Sequence, residues 1–251
     1  MFEELSCHSS FVRNLDSRVK IMVVFFFSVV MAASNRFVVL TLGLGTGLFL
    51  VLLARTPTDE IIRRLIPANI FILFLWLFLP FVCPGRLVFI MGPFYVTYEG
   101  LLYASKISIK SNAIMLMLIA LVASTPVFAL GQAMHELKVP TKLVHLFVFT
   151  YRYLHVIHRE YLRLLNSMKI RAFRPRTDWH TYKTFAYLVG MLLVRSFDRA
   201  QRVHNAMLCR GFRGNFYTLS EFSLKGKDVI FIVLMVVVIL VMGVLEWIKT
   251  I

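Results

Sequence analysis

The stretch VIFIVLMVVVILVMGVL, residues 229–245, decides the fold class of this 251-residue chain. A helix needs about 20 mostly apolar residues, with roughly 17 as the lower limit, to cross the hydrocarbon core of a bilayer. Four more uncharged stretches occur at residues 21–35, 37–54, 65–85 and 111–135. The first is short, but Lys20 and Arg36 at its ends can reach the headgroups, which lengthens the usable span. We therefore expect five membrane-spanning helices.

The composition supports a membrane protein. Apolar residues make up 59% of the chain and charged residues 16%, whereas a soluble domain is about half apolar and a quarter charged. This balance excludes a disordered protein, a secreted disulfide scaffold and an ordinary soluble enzyme. The net charge of +15 is unusual for a chain buried in lipid, so the charge must be concentrated in one segment.

That segment lies between the last two predicted spans. Residues 138–225 hold 16 of the 28 Lys and Arg residues but only four of the 13 acidic residues. Because cytoplasmic segments are enriched in Lys and Arg, we expect this segment and the N-terminus on the cytoplasmic side of the membrane. The predicted organisation is a membrane domain at 1–124, a cytoplasmic domain of long amphipathic helices at 125–225 and a final span at 226–251. Residues 87–98 are too short to span and predict an extramembrane loop or interfacial turn.

The basic segment is predicted to form two long amphipathic helices. Apolar residues recur at intervals of three and four from Pro140 to about Arg171. Asp178 is a plausible N-cap for a second helix, which Gly211 or Gly214 would end. The fold class is therefore all-α: a polytopic membrane protein with about five transmembrane helices and a cytoplasmic domain of long amphipathic helices.

Each of these helices is predicted to end in an arginine. The two ends read Ile170-Arg171-Ala172 and Cys209-Arg210-Gly211. Basic helices of this kind can lie on anionic lipid or dock on an acidic cytoplasmic partner, and the paired arginines favour docking. The alternative is that the arginines only complement the helix dipole, which contributes a few tenths to about 1 kcal/mol. Nothing resembles a base-reading module, so we expect no nucleic-acid partner.

The second predicted span contains a small-residue pattern. Gly43-x-x-x-Gly47 brings two glycines to one helix face and allows another helix to approach closely. Packing within the chain's own bundle and contact with a partner remain equally plausible from the sequence.

The sequence contains no enzyme signature. A phosphate loop ending at Lys227 would need glycine at the position of Glu221, so we expect no ATP site, no cofactor and no catalytic residue. His155 and His158 share a helix face without a carboxylate or cysteine at ligand spacing, which predicts a solvated or lipid-facing pair rather than a metal site.

Several motifs resemble the T-component of energy-coupling factor (ECF) transporters, and in particular the cobalt branch, CbiQ. The most specific is LLVRSFDRAQRVHNAMLCRGFRG at 192–214, which contains the family's Ala-Met-x-x-Arg-Gly-Phe run. Residues 149–154, 139–143 and 15–20 resemble its Tyr-Arg-Tyr segment, its Val-Pro-x-Lys-Leu helix start and its N-terminal Leu-Asp-Pro-Arg-x-Lys. The chain departs from the family pattern at Ala172, where glycine is usual, and at Ser17, where proline is usual.

This resemblance implies a non-catalytic transporter subunit in a bacterial or archaeal inner membrane, with residues 125–225 as its cytoplasmic coupling-helix domain. In the family, long coupling helices rest on two ATPase subunits (CbiO-like), and the two X-Arg-X ends, here at Arg171 and Arg210, insert into ATPase grooves beside acidic side chains. A separate membrane S-component (CbiM/CbiN-like) binds the substrate and is reoriented when the ATPases close. The alternatives are a T-component for nickel or for a vitamin such as biotin, and a basic membrane-anchored scaffold that binds lipid.

Overall fold

The computed structural model describes residues 15–54, 56–82, 87–91, 94–212 and 226–248. These residues form eight helices and one hairpin: α1 Ser17–Ala33, α2 Phe37–Ala54, α3 Thr58–Val82, β1 Leu87–Met91, β2 Phe94–Thr97, α4 Tyr98–Leu121, α5 Val127–Glu136, α6 Thr141–Ile170, α7 Trp179–Cys209 and α8 Gly226–Trp247. The chain divides into two compact units. The membrane unit contains α1–α4, the hairpin, most of α5 and α8, and the coupling unit contains α6 and α7.

The membrane unit has the helices of a multi-pass membrane protein. Four of its described helices, α2, α3, α4 and α8, are long and apolar enough to cross a bilayer. The first predicted span corresponds to α1, which has 17 residues and holds the fully buried side chains of Phe27 and Met31. The prediction of an all-α polytopic membrane protein is therefore confirmed.

The predicted fourth span, 111–135, is wrong. α4 begins at Tyr98 and ends at Leu121, and α5 is a separate short helix. The hydroxyl of Ser124 donates to the carbonyl of Ala120 (2.8 Å) and that of Thr125 to the carbonyl of Leu121 (2.8 Å). Pro126 then lacks an N–H group and disfavours helical backbone at the residue before it, so the helix ends.

α4 begins at Tyr98, well before the predicted start of the span at residue 111. The helix can begin there because its two lysines have partners within the membrane unit. The Lys110 ammonium donates to the carbonyl of Ala32 (2.9 Å) and to the side chain of Asn35 (3.3 Å). The Lys106 ammonium lies 5.4 Å from the centre of the Phe37 ring. These partners let one helix continue through both charges.

Within residues 87–98, predicted as a loop or turn, β1 and β2 instead pair as antiparallel strands, and Tyr98 is the first residue of α4. Ile90 pairs with Tyr95 and Met91 with Phe94, and such β-branched and aromatic residues favour strands. The hairpin is tied to α3, because the hydroxyl of Thr97 donates to the carbonyl of Pro80 (3.0 Å).

A buried polar cluster connects the start of α1 with the start of α8 and with the turn after α4. The backbone N–H of Asp16 donates to the carboxylate of Asp228 at the start of α8 (3.0 Å), and Asp16 caps α1 by accepting from the N–H of Arg18 (3.0 Å). The ammonium of Lys20, only 1% exposed, donates to the hydroxyl of Thr125 (3.2 Å). Buried polar groups of this kind need partners, so this cluster fixes α1, α8 and the turn after α4 together.

The two glycines of the Gly-x-x-x-Gly pattern face other helices of the same unit. A Cβ atom on Gly43 would lie 2.3 Å from the sulfur of Met31 and 2.9 Å from the terminal methyl of Met242. A Cβ atom on Gly47 would lie 3.3 Å from the Cβ of Leu116. Both glycines are buried, so the described structure accounts for them by packing within the chain.

Candidate functional site

The coupling unit consists of two long helices that expose most of their apolar surface. α6 has 30 residues and α7 has 31. Val144 and Leu188 are the only apolar residues of these two helices that are buried. Both helices are amphipathic with an apolar stripe, as the sequence predicts. Their exposed apolar stripes are too extensive for a coupling unit that functions alone in water.

The ion pairs of the coupling unit centre on Glu160 of α6. Its carboxylate accepts from Arg195 of α7 and from Arg163 one turn further along α6 (3.4 Å). The hydrogen bond from Arg195 is the main reason why the pKa of Glu160 lies below its ordinary value. Helix periodicity does not predict this pair. The one signal for it in the sequence is that Glu160 is the only acidic residue in α6.

An open groove of about 1100 Å³ lies between the first part of α6 and the last part of α7. Its walls are mainly apolar and include Leu146, Phe149, Val194 and Phe197, with Lys142, His145 and Arg199 among the polar lining residues. Burial is the main cause that lowers the pKa of His145, and the charge of His135 adds to it. The groove is therefore an apolar surface with basic residues along it.

The end of α6 has a specific backbone geometry at Arg171. Arg171 is the C-cap residue, with φ −80° and ψ 18°, and Ala172 follows in the left-handed region at φ 59°. The N–H of Phe173 donates to the carbonyl of Met168 (3.1 Å), and the N–H of Ala172 donates to that of Lys169 (3.0 Å). These two bonds define a Schellman motif.

The end of α7 repeats this geometry at Arg210. Arg210 is the C-cap, with φ −91° and ψ 11°, and Gly211 is left-handed at φ 77°. The N–H groups of Phe212 and Gly211 donate to the carbonyls of Met207 (3.0 Å) and Leu208 (3.0 Å). α7 thus ends before Gly211, and Gly214, the alternative stop, lies outside the described residues. Alanine at 172 does not prevent the first end from adopting the geometry of the second.

The match between the two ends extends to their sequences. Residues 168–174 read MKIRAFR and residues 207–213 read MLCRGFR, an internal repeat that the sequence analysis did not use. α5 also ends in a Schellman motif, with Lys138 at φ 60° and the N–H of Val139 donating to the carbonyl of Met134 (3.2 Å). The C-cap residue of α5 is Leu137. An arginine at the C-cap therefore distinguishes the ends of α6 and α7 from the end of α5.

Both arginine ends are presented to solvent. Ile170 is 87% exposed, and Arg171, Cys209, Arg210 and Gly211 are also exposed. Within the described part of the chain, neither guanidinium forms an ion pair. Each end thus combines an unpaired cation with an exposed apolar side chain, the composition of an interface anchor.

The two ends lie far apart on the coupling unit. The ring of Phe173 packs edge-on against Phe185 near the start of α7, with 5.9 Å between ring centroids. The 25 residues from Phe185 to Arg210 extend about 37 Å along a helix. Arg171 and Arg210 therefore cannot contact one small groove together.

A multi-pass helical membrane unit joined to an exposed pair of arginine-capped helices defines a membrane subunit that acts with partners. Comparison with known families agrees: the profile of the CbiQ family, described as cobalt transport protein, matches residues 8–224. The chain therefore belongs to the CbiQ family of T-components of ECF transporters, as the motifs indicated.

Individual relatives are similar over most of their length. The transmembrane protein EcfT of Brevibacillus brevis is 24% identical over 93% of this chain and 93% of its own. EcfT of Leuconostoc gelidum is 26% identical over 82% of this chain and 81% of its own. An uncharacterized protein of Methanocaldococcus jannaschii is 24% identical over 94% of this chain and 83% of its own.

Proposed function

We propose that this T-component couples two cytoplasmic ATPase subunits to a membrane S-component that imports cobalt. In this proposal the N-terminus and the coupling unit face the cytoplasm, and the chain itself binds neither ATP nor the ion. The observation that carries the proposal is the pair of exposed helix ends, Arg171 and Arg210, with the same backbone geometry.

Two equivalent arginine ends suit two equivalent partners. A guanidinium can form two parallel hydrogen bonds with a carboxylate, and such pairs are strong when water is excluded. The Schellman motif fixes the direction in which the chain leaves each helix. A pair of identical ATPase subunits, each with an acidic groove, would match two ends separated by most of α7, since about 37 Å of helix lies between Phe185, near the first end, and Arg210.

The groove between α6 and α7 supports the second partnership. Its volume of about 1100 Å³ and its apolar walls suit an apolar helix of a membrane-embedded S-component, since helix-in-groove contacts rely on such surfaces. Closure of the ATPases would move the helix ends, and stiff helices would carry that motion to the groove. The S-component would then reorient and release its ion inside the cell.

Cobalt is proposed as the substrate because the family description names cobalt transport. The EcfT relatives are described without a substrate, so nickel and biotin are the alternative cargoes. Purification of the chain with its S-component, followed by metal analysis and mass spectrometry of small molecules released from that complex, will identify the cargo. Bound nickel or biotin in place of cobalt would replace the proposed substrate and leave the coupling role intact.

The docking role is tested by charge reversal at both ends. Arg171→Glu with Arg210→Glu should abolish copurification of the ATPases from membranes in mild detergent, while the chain remains inserted. The matched control is Arg159→Glu with Arg202→Glu, which makes the same charge change at exposed positions of the same helices. Retained ATPases in the first variant, or equal loss in the control, would refute specific docking. Recovery of wild-type chain with anionic lipid alone would favour the scaffold.

The orientation is tested through Cys209, an exposed free cysteine next to Arg210. In a variant whose other two cysteines are replaced by serine, expressed without ATPase subunits so that the Arg210 end stays accessible, a membrane-impermeant maleimide should label Cys209 in inside-out vesicles only. Labelling in intact cells would refute a cytoplasmic coupling unit.

A further inference from the structure

We propose that the Glu160–Arg195 ion pair is a positioning contact that sets the crossing angle of α6 and α7. Through this angle, the pair couples the Arg210 end to the width of the groove. The consequence for transport rests on the function proposed above, whereas the effect on helix geometry does not.

The two helices have few other means of fixing their angle. Apolar packing between them is sparse, since Val144 and Leu188 are the only buried apolar residues of α6 and α7. Near the loop that joins them, the ring of Phe173 contacts Phe185, and the N–H of Arg176 donates to the hydroxyl of Thr181 (3.1 Å). These contacts hold α6 and α7 together beside their connecting loop. The angle between the two helices is therefore set further along, where they cross.

The crossing is formed around Glu160. Val156, Ile157, Leu192 and Ser196 line a space of only about 10 Å³ there together with the ion pair, so the helices are in close contact at this point. The Glu160 side chain is 12% exposed and that of Arg195 is 45% exposed. The pair is therefore shielded on the carboxylate side and joins the two helices where both of them line this small space.

The charges around Glu160 make its carboxylate the element that holds the crossing together. Arg163 on α6 and Arg195 and Arg199 on α7 all act on Glu160. Neutralising Glu160 would leave these three guanidinium groups facing one another, and like charges repel. The crossing is expected to open because the attraction becomes repulsion, even if both helices remain folded.

A small change of angle has a large effect at the helix ends. Arg210 lies 15 residues beyond Arg195, or about 22 Å along the helix. A rotation of about 10° at the crossing would therefore move Arg210 by roughly 4 Å relative to α6, which exceeds the length of a hydrogen bond. The residues of α7 that line the groove lie on this same part of the helix. A rotation that moves Arg210 therefore also changes the width of the groove.

The geometry is tested by electron–electron spin-label distance measurement on the full chain in lipid nanodiscs. Labels on Cys209 and on Leu143→Cys lie on the two arms of the groove, with the other two cysteines replaced by serine. Glu160→Gln should shift or broaden the distance distribution by about 4 Å or more. Arg195→Gln should shift the distribution in the same direction, and the shift in the double variant should be smaller than the sum of the two single shifts, because both substitutions remove the same contact.

The matched control is Asp198→Asn, which removes an exposed carboxylate from α7 and should leave the distribution unchanged. An unchanged distribution in Glu160→Gln, additive shifts in the double variant, or an equal shift in Asp198→Asn would each overturn the positioning role.

The transport consequence is tested in the reconstituted complex with radioactive Co²⁺. Glu160→Gln should retain the ATPases and ATP hydrolysis but transport at least several-fold less Co²⁺ per ATP, whereas Asp198→Asn should match wild type. Unchanged coupling despite a shifted distance would refute the link to transport. Failure of the wild-type chain to retain ATPases would instead refute the proposed function, and the distance measurement would still decide the inference.

Discussion

Replacing Ala172 by glycine should stabilise the end of α6. Ala172 is at φ 59°, and an L-residue in this region is roughly 1–2 kcal/mol less stable than in the right-handed helix. Glycine removes that strain but makes the unfolded chain more flexible, which offsets about 0.4–1 kcal/mol. The expected net gain is about 0.5–1 kcal/mol.

Gly211→Ala provides the reciprocal change. Gly211 is at φ 77°, and a Cβ atom built on it would meet no atom of the described structure within 4 Å. Alanine there adds conformational strain without a clash, so the end of α7 should lose about as much stability as the end of α6 gains from Ala172→Gly.

Hydrogen exchange measured by mass spectrometry reports each helix end separately. The relevant amides are those of Ala172 and Phe173, which donate the two bonds of the Schellman motif. Because 1.4 kcal/mol is a tenfold change in an equilibrium constant, a gain of about 0.5–1 kcal/mol should slow exchange by roughly two- to fivefold. Gly211→Ala should accelerate exchange at the end of α7 by a similar factor.

Lys138→Gly is the matched control, because Lys138 has the same left-handed position at the end of α5 with φ 60°. It should slow exchange there and leave α6 unaffected. The reasoning would be refuted if exchange were faster or unchanged in Ala172→Gly and slower in Gly211→Ala. Those results would show that backbone strain does not determine the stability of these helix ends.

Three further predictions concern packing, the buried cluster and pH. Gly43→Ala should cost about 1–3 kcal/mol by overpacking and lower the midpoint of thermal unfolding in detergent. Gly45→Ala should leave the midpoint unchanged, because a new Cβ there has nothing within 4 Å. Equal midpoints for the two variants would contradict the packing role of Gly43. Lys20→Met should lose about 1–3 kcal/mol, because it removes the cationic member of a buried polar cluster and the donor to the Thr125 hydroxyl; size-exclusion chromatography after heating would detect the loss, and an unaltered profile would contradict it. Since Arg195 lowers the pKa of Glu160, the stabilisation by this pair should be complete above the usual glutamate value of about 4.3 and lost as pH falls through the lower folded-state pKa. The difference in spin-label distance between wild type and Glu160→Gln should therefore be constant from pH 7 to 5, because protonation of His145 in the groove wall acts on both proteins. A change of that difference within this range would contradict the reasoning.

The coupling helices were the most predictable part of the fold. The spacing of apolar residues after Pro140 predicts a helix to about Arg171, and α6 spans Thr141–Ile170. Asp178 precedes α7 as its N-cap residue, although its side chain makes no capping hydrogen bond. These limits are local, because helix periodicity and helix ends depend on residues a few positions apart.

The membrane helices were less predictable at their ends. A search for uncharged stretches ends a span at each lysine, and it could not know that Lys110 finds partners in Ala32 and Asn35. The same search continued through Pro126, although the hydroxyl of Thr125 and the proline end the helix there. Apolarity predicts that a helix lies in the membrane more reliably than it predicts where the helix stops.

The sequence by itself determined the class of this protein and its two arginine ends. Hydropathy, charge distribution and capping motifs are properties of neighbouring residues, so they can be read along the chain. Only the tertiary structure decided which residues meet across it. Glu160 and Arg195 are 35 positions apart, Lys20 and Thr125 are 105 apart, and Gly43 meets Met31 and Met242. Such contacts depend on how helices cross and pack, and sequence spacing alone does not specify that geometry.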